Sequence, residues 1–365
     1  MNHKQILFFI AIVTALLFGA CEKPSELEPG RFQCVYVRGE HVHIGEDITF
    51  YYRPKNNPPD AVRLSITYRD FDSEDKCPDF EKKGDLIRGE FHVPDSVLSM
   101  RLYALGDGSS SPSVTILVHD ENEVPVPGAR AEFSNRIGAA DLKLGDSLFY
   151  ADLNANPDMV VFYRDRWFRR SFDPKTREVI EREVDSLAGH AGGNYHIYGV
   201  LASGYAILGE LDSALAAMRK YLEHDELHPE IAPKAANDLM SYAGIYGKED
   251  RSEEWELKRQ MALRFPMNYT AEDYVQSIIY SRKFKGEPDS AAEAIIEARI
   301  ERDPANYYFM SEYLEGIGEN SGASKAARDY IGALERGDIP TCGWYISDRA
   351  PDMYIRAAKA NMDNG

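Results

Sequence analysis

The sequence holds only four cysteines, Cys21, Cys34, Cys77 and Cys342, and nowhere a Cys-x-x-Cys. That excludes a dithiol redox centre, which needs an attacking and a resolving thiol close together. No Gly-x-Ser-x-Gly elbow, phosphate-binding loop or dinucleotide fingerprint occurs either, so the common serine-hydrolase and nucleotide motifs are missing. Cationic side chains are outnumbered, 42 Lys and Arg against 60 Asp and Glu, and the net charge is −18. Such a chain offers no basic face to nucleic acid and does not lie flat on anionic lipid. Long apolar runs are absent except for Ile6 to Phe18, which is shorter than the about 20 residues a bilayer span requires.

That one run opens the chain, behind Lys4, and small residues follow it: Gly19, Ala20, Cys21. A charged start, a short apolar stretch and a small-residue step form a secretory signal. The step resembles the lipobox of bacterial lipoproteins, with Phe18 where leucine is usual. The resemblance implies cleavage between Ala20 and Cys21, diacylglycerol on the Cys21 sulfur and an acyl chain such as palmitate on its amine. Two or more chains anchor a protein stably. The expected location is the bacterial cell envelope, as an outer-membrane lipoprotein facing the periplasm or the exterior, with the lipid as the membrane contact. Residues 1–20 are then signal peptide and 21–30, acidic and proline-bearing, a disordered tether. Glu22, Glu26 and Glu28 are similar to the acidic residues that follow the lipid cysteine in surface-exported lipoproteins of Bacteroidota.

Residues 31–135 alternate with period two between turn clusters. FQCVYVR, ITFYYRP, VRLSITY, GEFHVP, MRLYAL and VTILVHD are rich in β-branched and aromatic residues, as half-buried strands are. Six or seven short strands predict an immunoglobulin-like β-sandwich. GEFHVPDSVLSMRLYAL and VTILVHDENEVPVPGARAEF resemble the β-domain at the front of large Bacteroidota lipoproteins of the thioredoxin-like, disulfide-reductase family. In that family a helical region follows, and then a thioredoxin-like domain. With no Cys-x-x-Cys in the sequence, the family's disulfide exchange does not carry over. Cys34 and Cys77 fall in the same predicted domain and are the candidate disulfide; cysteine arithmetic leaves pairing and two free thiols equally open.

Two metal readings fail on chemistry, and no cofactor is expected. Asp70, Asp72, Glu74 and Glu81 have EF-hand spacing, but Asp75 stands where the turn needs Gly and Pro78 interrupts the loop. His41 and His43, two apart, read as a solvated strand face without a third ligand. In His224-Asp225-Glu226-Leu227-His228 the histidines are four apart, but Asp225 stands where a zinc protease needs its Glu; exposed histidines at a helix end are the plainer reading.

Residues 136–180 form a bridging region, and 181–365 turn helical. Gly209-Glu210-Leu211-Asp212-Ser213-Ala214 aligns with Gly286-Glu287-Pro288-Asp289-Ser290-Ala291, 77 positions on (286 − 209), an internal repeat of stacked-hairpin kind. Tyr198, Leu201, Ala202, Tyr205, Gly209, Ala214 and Met218 resemble the signature of a tetratricopeptide repeat. The resemblance implies a solenoid of three or four units that binds a protein segment. The carboxylate clamp of the best-known versions is missing: the matching places are His196, Gly199, Ser203, Ala206 and Ile207. Tyr198, Tyr205, Tyr242 and Tyr246 are the candidate binding face, since Tyr favours interfaces; tyrosines at helical spacing also serve as core with a wet tip.

The fold class expected is therefore multi-domain, a β-sandwich followed by an α-helical solenoid. The expected function is a non-enzymatic, lipid-anchored scaffold with a protein partner and no nucleic acid. An accessory role beside an envelope thioredoxin-like protein and glycan capture at the surface are the alternatives. The anchor makes a direct prediction: in the producing bacterium, Cys21→Ser abolishes labelling by radioactive palmitate and moves the protein from the membrane to the soluble fraction. Unchanged labelling would remove the lipoprotein assignment.

Overall fold

The structure, a computed structural model, describes residues 27–35, 41–69, 73–106, 113–137, 142–280, 287–339 and 346–363. Ala20, Cys21, Asp70, Asp72 and Cys342 lie outside these residues. β-sheets come first along the chain and helices second. No helix among the described residues is long and apolar enough to cross a membrane.

The strands are Arg31–Val35 (β1), Val42–His43 (β2), Asp47–Arg53 (β3), Ala61–Tyr68 (β4), Ser73–Lys76 (β5), Phe80–Lys83 (β6), Leu86–His92 (β7), Val97–Leu105 (β8) and Ser113–His119 (β9). One sheet has the order β1-β3-β7-β6, the other β2-β9-β8-β4-β5. Pairing is antiparallel except between β2 and β9. Alternation places Ile48, Phe50 and Tyr52 of β3 and Val62, Leu64 and Ile66 of β4 inward, and both sheets feed one hydrophobic cluster.

Three expectations need correction. First, there are nine strands among the described residues, because the polar stretch read as a break, DFDSED and its continuation, contains β5 and β6. These belong to different sheets. Second, the chain is helical from Ala129, well before residue 135. The Asp152 carboxylate accepts from the Gly128 and Ala131 amides at 3.2 and 2.9 Å and starts that helix. Third, Cys34 is a free thiol and does not pair with Cys77. Cys34 lies on β1 in the four-stranded sheet, whereas Cys77 directly follows β5 of the other sheet. Burial pushes the Cys34 thiol up to about 12, while Cys77 is disulfide-bonded.

Helices Ala129–Ile137 (α1), Leu142–Ala155 (α2), Phe162–Arg170 (α3) and Arg177–Ala188 (α4) fill the bridging region. Four helix pairs follow: His196–Leu208 with Leu211–Leu222 (α5, α6), Ile231–Ile245 with Ser252–Arg264 (α7, α8), Tyr269–Tyr280 with Ser290–Arg302 (α9, α10), and Tyr307–Gly316 with Asn320–Arg336 (α11, α12). Ile346–Asp363 (α13) packs on α12. The pairs begin at residues 196, 231, 269 and 307, in steps of 35, 38 and 38, and the leading helix of each pair touches the next. Gly209, at φ 85°, turns the chain between α5 and α6, a conformation glycine takes without penalty. Gly199 and Gly204 let α5 approach its neighbours: a Cβ would stand 2.5 Å from the Tyr221 ring and 2.7 Å from the Trp167 ring.

Gly89 tests the packing of the sheets. It pairs with Phe50 on one side and Phe80 on the other, and a Cβ there would overlap the Phe50 ring and lie 2.6 Å from the Asp79 carbonyl. Gly89→Ala is expected to lower stability by about 1–3 kcal/mol, as overpacking does, read as a fall in denaturation midpoint. An unchanged midpoint would mean the sheets are looser than described.

Candidate functional site

Helix α3, FYRDRWFRR, places four arginines on one short helix of an acidic chain. At 3.6 residues per turn, residues four apart share a flank. Arg166 and Arg170 occupy one flank, Arg164 and Phe168 another, and Trp167 between them is fully buried.

On the first flank the Arg166 guanidinium donates to Glu183 at 3.0–3.3 Å and to Asp146 at 2.8 Å. Trp167 Nε1 donates to the same Glu183 at 2.8 Å, and Arg170 and the Tyr150 hydroxyl complete the cluster on Asp146 and Glu183. Burial and then the Glu183 carboxylate push the Tyr150 phenol up to about 12. Burial alone would raise Asp146, but Arg166 and Arg170 hold it below the usual carboxylate range.

On the other flank Arg164 grips Asp238 of α7 with two nitrogens, at 2.8 and 2.6 Å, and reaches Asp165 at 2.8 Å. Lys234 bridges Asp165 and Glu230, at 3.3 and 2.7 Å. Desolvation opposes the charge on Asp165, yet Lys234 and Arg164 outweigh it and bring its pKa down to about 2. Each charge is thus held by an opposite one, as buried ions require.

Two clefts flank the helix. One, of about 520 Å³, opens among Thr67, Ser73, Phe168, Lys234, Met267 and Tyr269. The other, of about 500 Å³, is bounded by Asn135, Asp146, Arg169, Arg170, Phe172 and Thr176. Arg169 borders both. At the rim Phe172 is 74% exposed and meets the Phe168 ring edge-on at 5.2 Å. Ser171 lies 3.3 Å from the Tyr242 hydroxyl, and Tyr242 stacks with Tyr246 at 6.2 Å.

The candidate tyrosines therefore divide. Tyr242 is buried and reaches the end of α3 through Ser171, and Tyr246 stacks on it. Tyr246 donates to the Ile207 carbonyl at 2.9 Å. Tyr198 and Tyr205 are half-buried against the helical core, with Lys220 over the Tyr198 ring. Gly199, Ser203, Ala206 and Ile207, the groove places of the first unit, are buried and face no ligand surface. The arginines of α3 escape the motif reading; the signal available was their i, i+4 spacing in a basic run.

The histidines divide: His41 and His224 are exposed as expected, whereas His43 and His228 are not. His43 is buried, its ring nitrogens 3.3 Å from Glu46 and 3.2 Å from Glu123, and His41 stacks on His119 at 4.2 Å. The parallel register that sets His43 beside His119 causes this. His224 and His228 follow the end of α6 rather than ride a helix, and burial pushes His228 down to about 4. No group of three or more His, Cys, Asp or Glu among the described residues has the arrangement to hold a metal ion.

Removing one partner of a buried pair leaves the other charge stranded. Asp238→Ala is expected to destabilise the fold by about 3–5 kcal/mol, whereas Phe172→Ser, at an exposed place, should stay within about 0.5 kcal/mol; denaturant midpoints decide. Comparison with family models, with curated proteins and with solved structures finds no match to this chain.

Proposed function

We propose that the chain is a lipid-anchored, non-enzymatic scaffold that binds a protein partner at the outer membrane of a bacterial envelope. On this reading the paired sheets are an immunoglobulin-like sandwich, and the helix pairs are a tetratricopeptide-like solenoid. The 35- and 38-residue steps and the contact of successive leading helices support the solenoid. The two sheets with their shared core support the sandwich.

The observation that carries the reading is the rim of α3. Phe168 and Phe172 are 36% and 74% exposed and meet edge-on, and the exposed Arg169 follows Phe168 in the chain. Exposed aromatics with a neighbouring Arg are the composition of interface hot spots. Two observations weigh against the other readings. A thiol pushed up to about 12, as Cys34 is, has almost no thiolate at neutral pH and exchanges poorly. Trp167 is fully buried and Trp255 half-buried, so neither presents an open indole face to a glycan.

A photo-crosslinking residue at position 172 tests this, with position 325, exposed on α12, as control. One discrete crosslinked protein is expected from 172 and none from 325, and Arg169→Glu should reduce its yield about tenfold, equivalent to about 1.4 kcal/mol. The same products from both positions, or none from either, would sink the scaffold reading.

A further inference from the structure

The connection between α6 and α7, residues 223–230, is closed by a histidine. Nδ1 of His228 accepts from the Glu230 backbone N–H at 3.1 Å, and the His228 carbonyl accepts from the Ala232 amide at 3.2 Å. His228 thus caps the start of α7, whose first turn carries no acidic residue. A backbone N–H can only donate, so this bond requires Nδ1 to be bare. The His228 backbone N–H in turn donates to the Tyr221 hydroxyl at 2.8 Å. That hydroxyl stands 3.1 Å from His196 Nδ1 and donates to it when this nitrogen too is bare. The two imidazoles meet edge-on at 5.6 Å, and Tyr221 is fully buried. One chain of bonds therefore runs from α5 through α6 to α7, and it holds with both rings neutral.

The charges around the rings favour that state. Burial, then His196, then Lys234 one turn into α7 push His228 down to about 4. The Glu230 carboxylate is taken by Lys234 and Asn268, each at 2.7 Å. Burial and His224 lower His196, against Asp158 and Glu226. His224 stacks on the Tyr195 ring at 4.2 Å, and Arg264 of α8 donates to the Asp225 carbonyl.

We propose that His228 is an acid-sensitive cap on α7, which opens when the ring takes a proton at Nδ1. Protonation turns the acceptor into a donor that faces the Glu230 N–H. It also sets a cation at the positive end of the helix. Two N–H groups cannot share one bond, so the cap breaks and the connection between the first two helix pairs is released. The helix it caps is the one whose Lys234 and Asp238 grip α3. An opened connection takes the proton near the ordinary histidine value of 6.5, and the capped ring only near 4. The cap is therefore at full strength above pH 6.5, is lost as the pH falls from 6.5 to 4, and changes no further below. The device is independent of any partner.

Hydrogen exchange of the purified protein, read by mass spectrometry and corrected for the intrinsic effect of pH, tests the cap. From about pH 7 to about pH 5 the protection of residues 226–236 is expected to fall by about tenfold or more, with the chain still folded by circular dichroism. His228→Asn keeps an acceptor for the Glu230 N–H and takes up no proton in this range, so its protection there should change less than about twofold. Exchange of the His228 ring C2 proton in the wild-type protein should have its midpoint below about pH 6, and it serves if the variant does not fold. Four results would each overturn the cap: constant protection in the wild-type protein, the same fall in His228→Asn, a fall that comes only with loss of the whole circular dichroism signal, or a ring midpoint at about pH 6 or above.

Discussion

Two buried arginine pairs on α3 hold the structure together: Arg164 with Asp238 and Arg166 with Glu183. Their four side chains are between 3% and 10% exposed. An ion pair this deep gains little over apolar residues of the same volume, but it penalises every arrangement in which one charge loses its partner. Asp238 lies on α7 and Glu183 on α4, so the grips of Arg164 and Arg166 fix the rotation of both helices about α3. Asp146 extends the same constraint to α2. Trp167, donating to Glu183 and packed against Gly204, seats α3 in the core at the same point. The short helix thereby joins the sheet-bound helices to the helix pairs. One hydrophobic cluster runs accordingly from Leu98 on β8 to Met261 on α8.

Small residues decide how closely the pairs stack. Gly199 and Gly204 on α5 leave room for the rings of Tyr221 and Trp167, and Ala202 and Ala206 on α5 with Ala232, Ala235 and Ala236 on α7 are buried. The repeated Gly-Glu-x-Asp-Ser-Ala motif serves the two hairpins differently. In its second copy Asp289 caps α10, accepting from the Ala291 and Ala292 amides at 3.0 and 2.9 Å. In the first copy the equivalent Asp212 already lies inside the first turn of α6, whose cap residue Glu210 makes no side-chain bond. Pro288 in the second copy lacks an N–H, and the helix begins after it. A shared motif thus does not fix a shared helix start.

The same distinction between local and distant causes explains what could be read from the chain. β3, β4, β8 and β9 carry one buried face, so their alternation is written in the residues. β5 and β6 are SEDK and FEKK, exposed almost throughout; they pair by backbone and by polar cross-strand contacts such as Arg88–Glu81 and Tyr68–Glu74, which leave no apolar alternation. The start of α1 is set by Asp152, a residue of α2, and nothing near Ala129 announces it. His43 looked solvated because its spacing from His41 is visible, while the parallel pairing with β9 that buries it is not. The helix pairs were legible because glycine turns and alanine faces are local. The cleft at the end of α3 was not, because its walls come from α1, α2 and α3.

The arginines of α3 show how to separate structural charge from charge at the surface. Arg164 and Arg166 each bond two carboxylates from other positions, and their mutual geometry leaves nothing for solvent or ligand to add. Arg169 stands exposed between two clefts, and Arg170 gives one nitrogen to a carboxylate it shares with Arg166. A helix that needed only to be fastened would have no use for an exposed aromatic at position 172. The flanks facing inward fix the helix so firmly that the groups on its outer edge are held in place with little further loss of freedom on binding. On the scaffold reading proposed above, that preorganisation lowers the cost of recognising a partner at this joint.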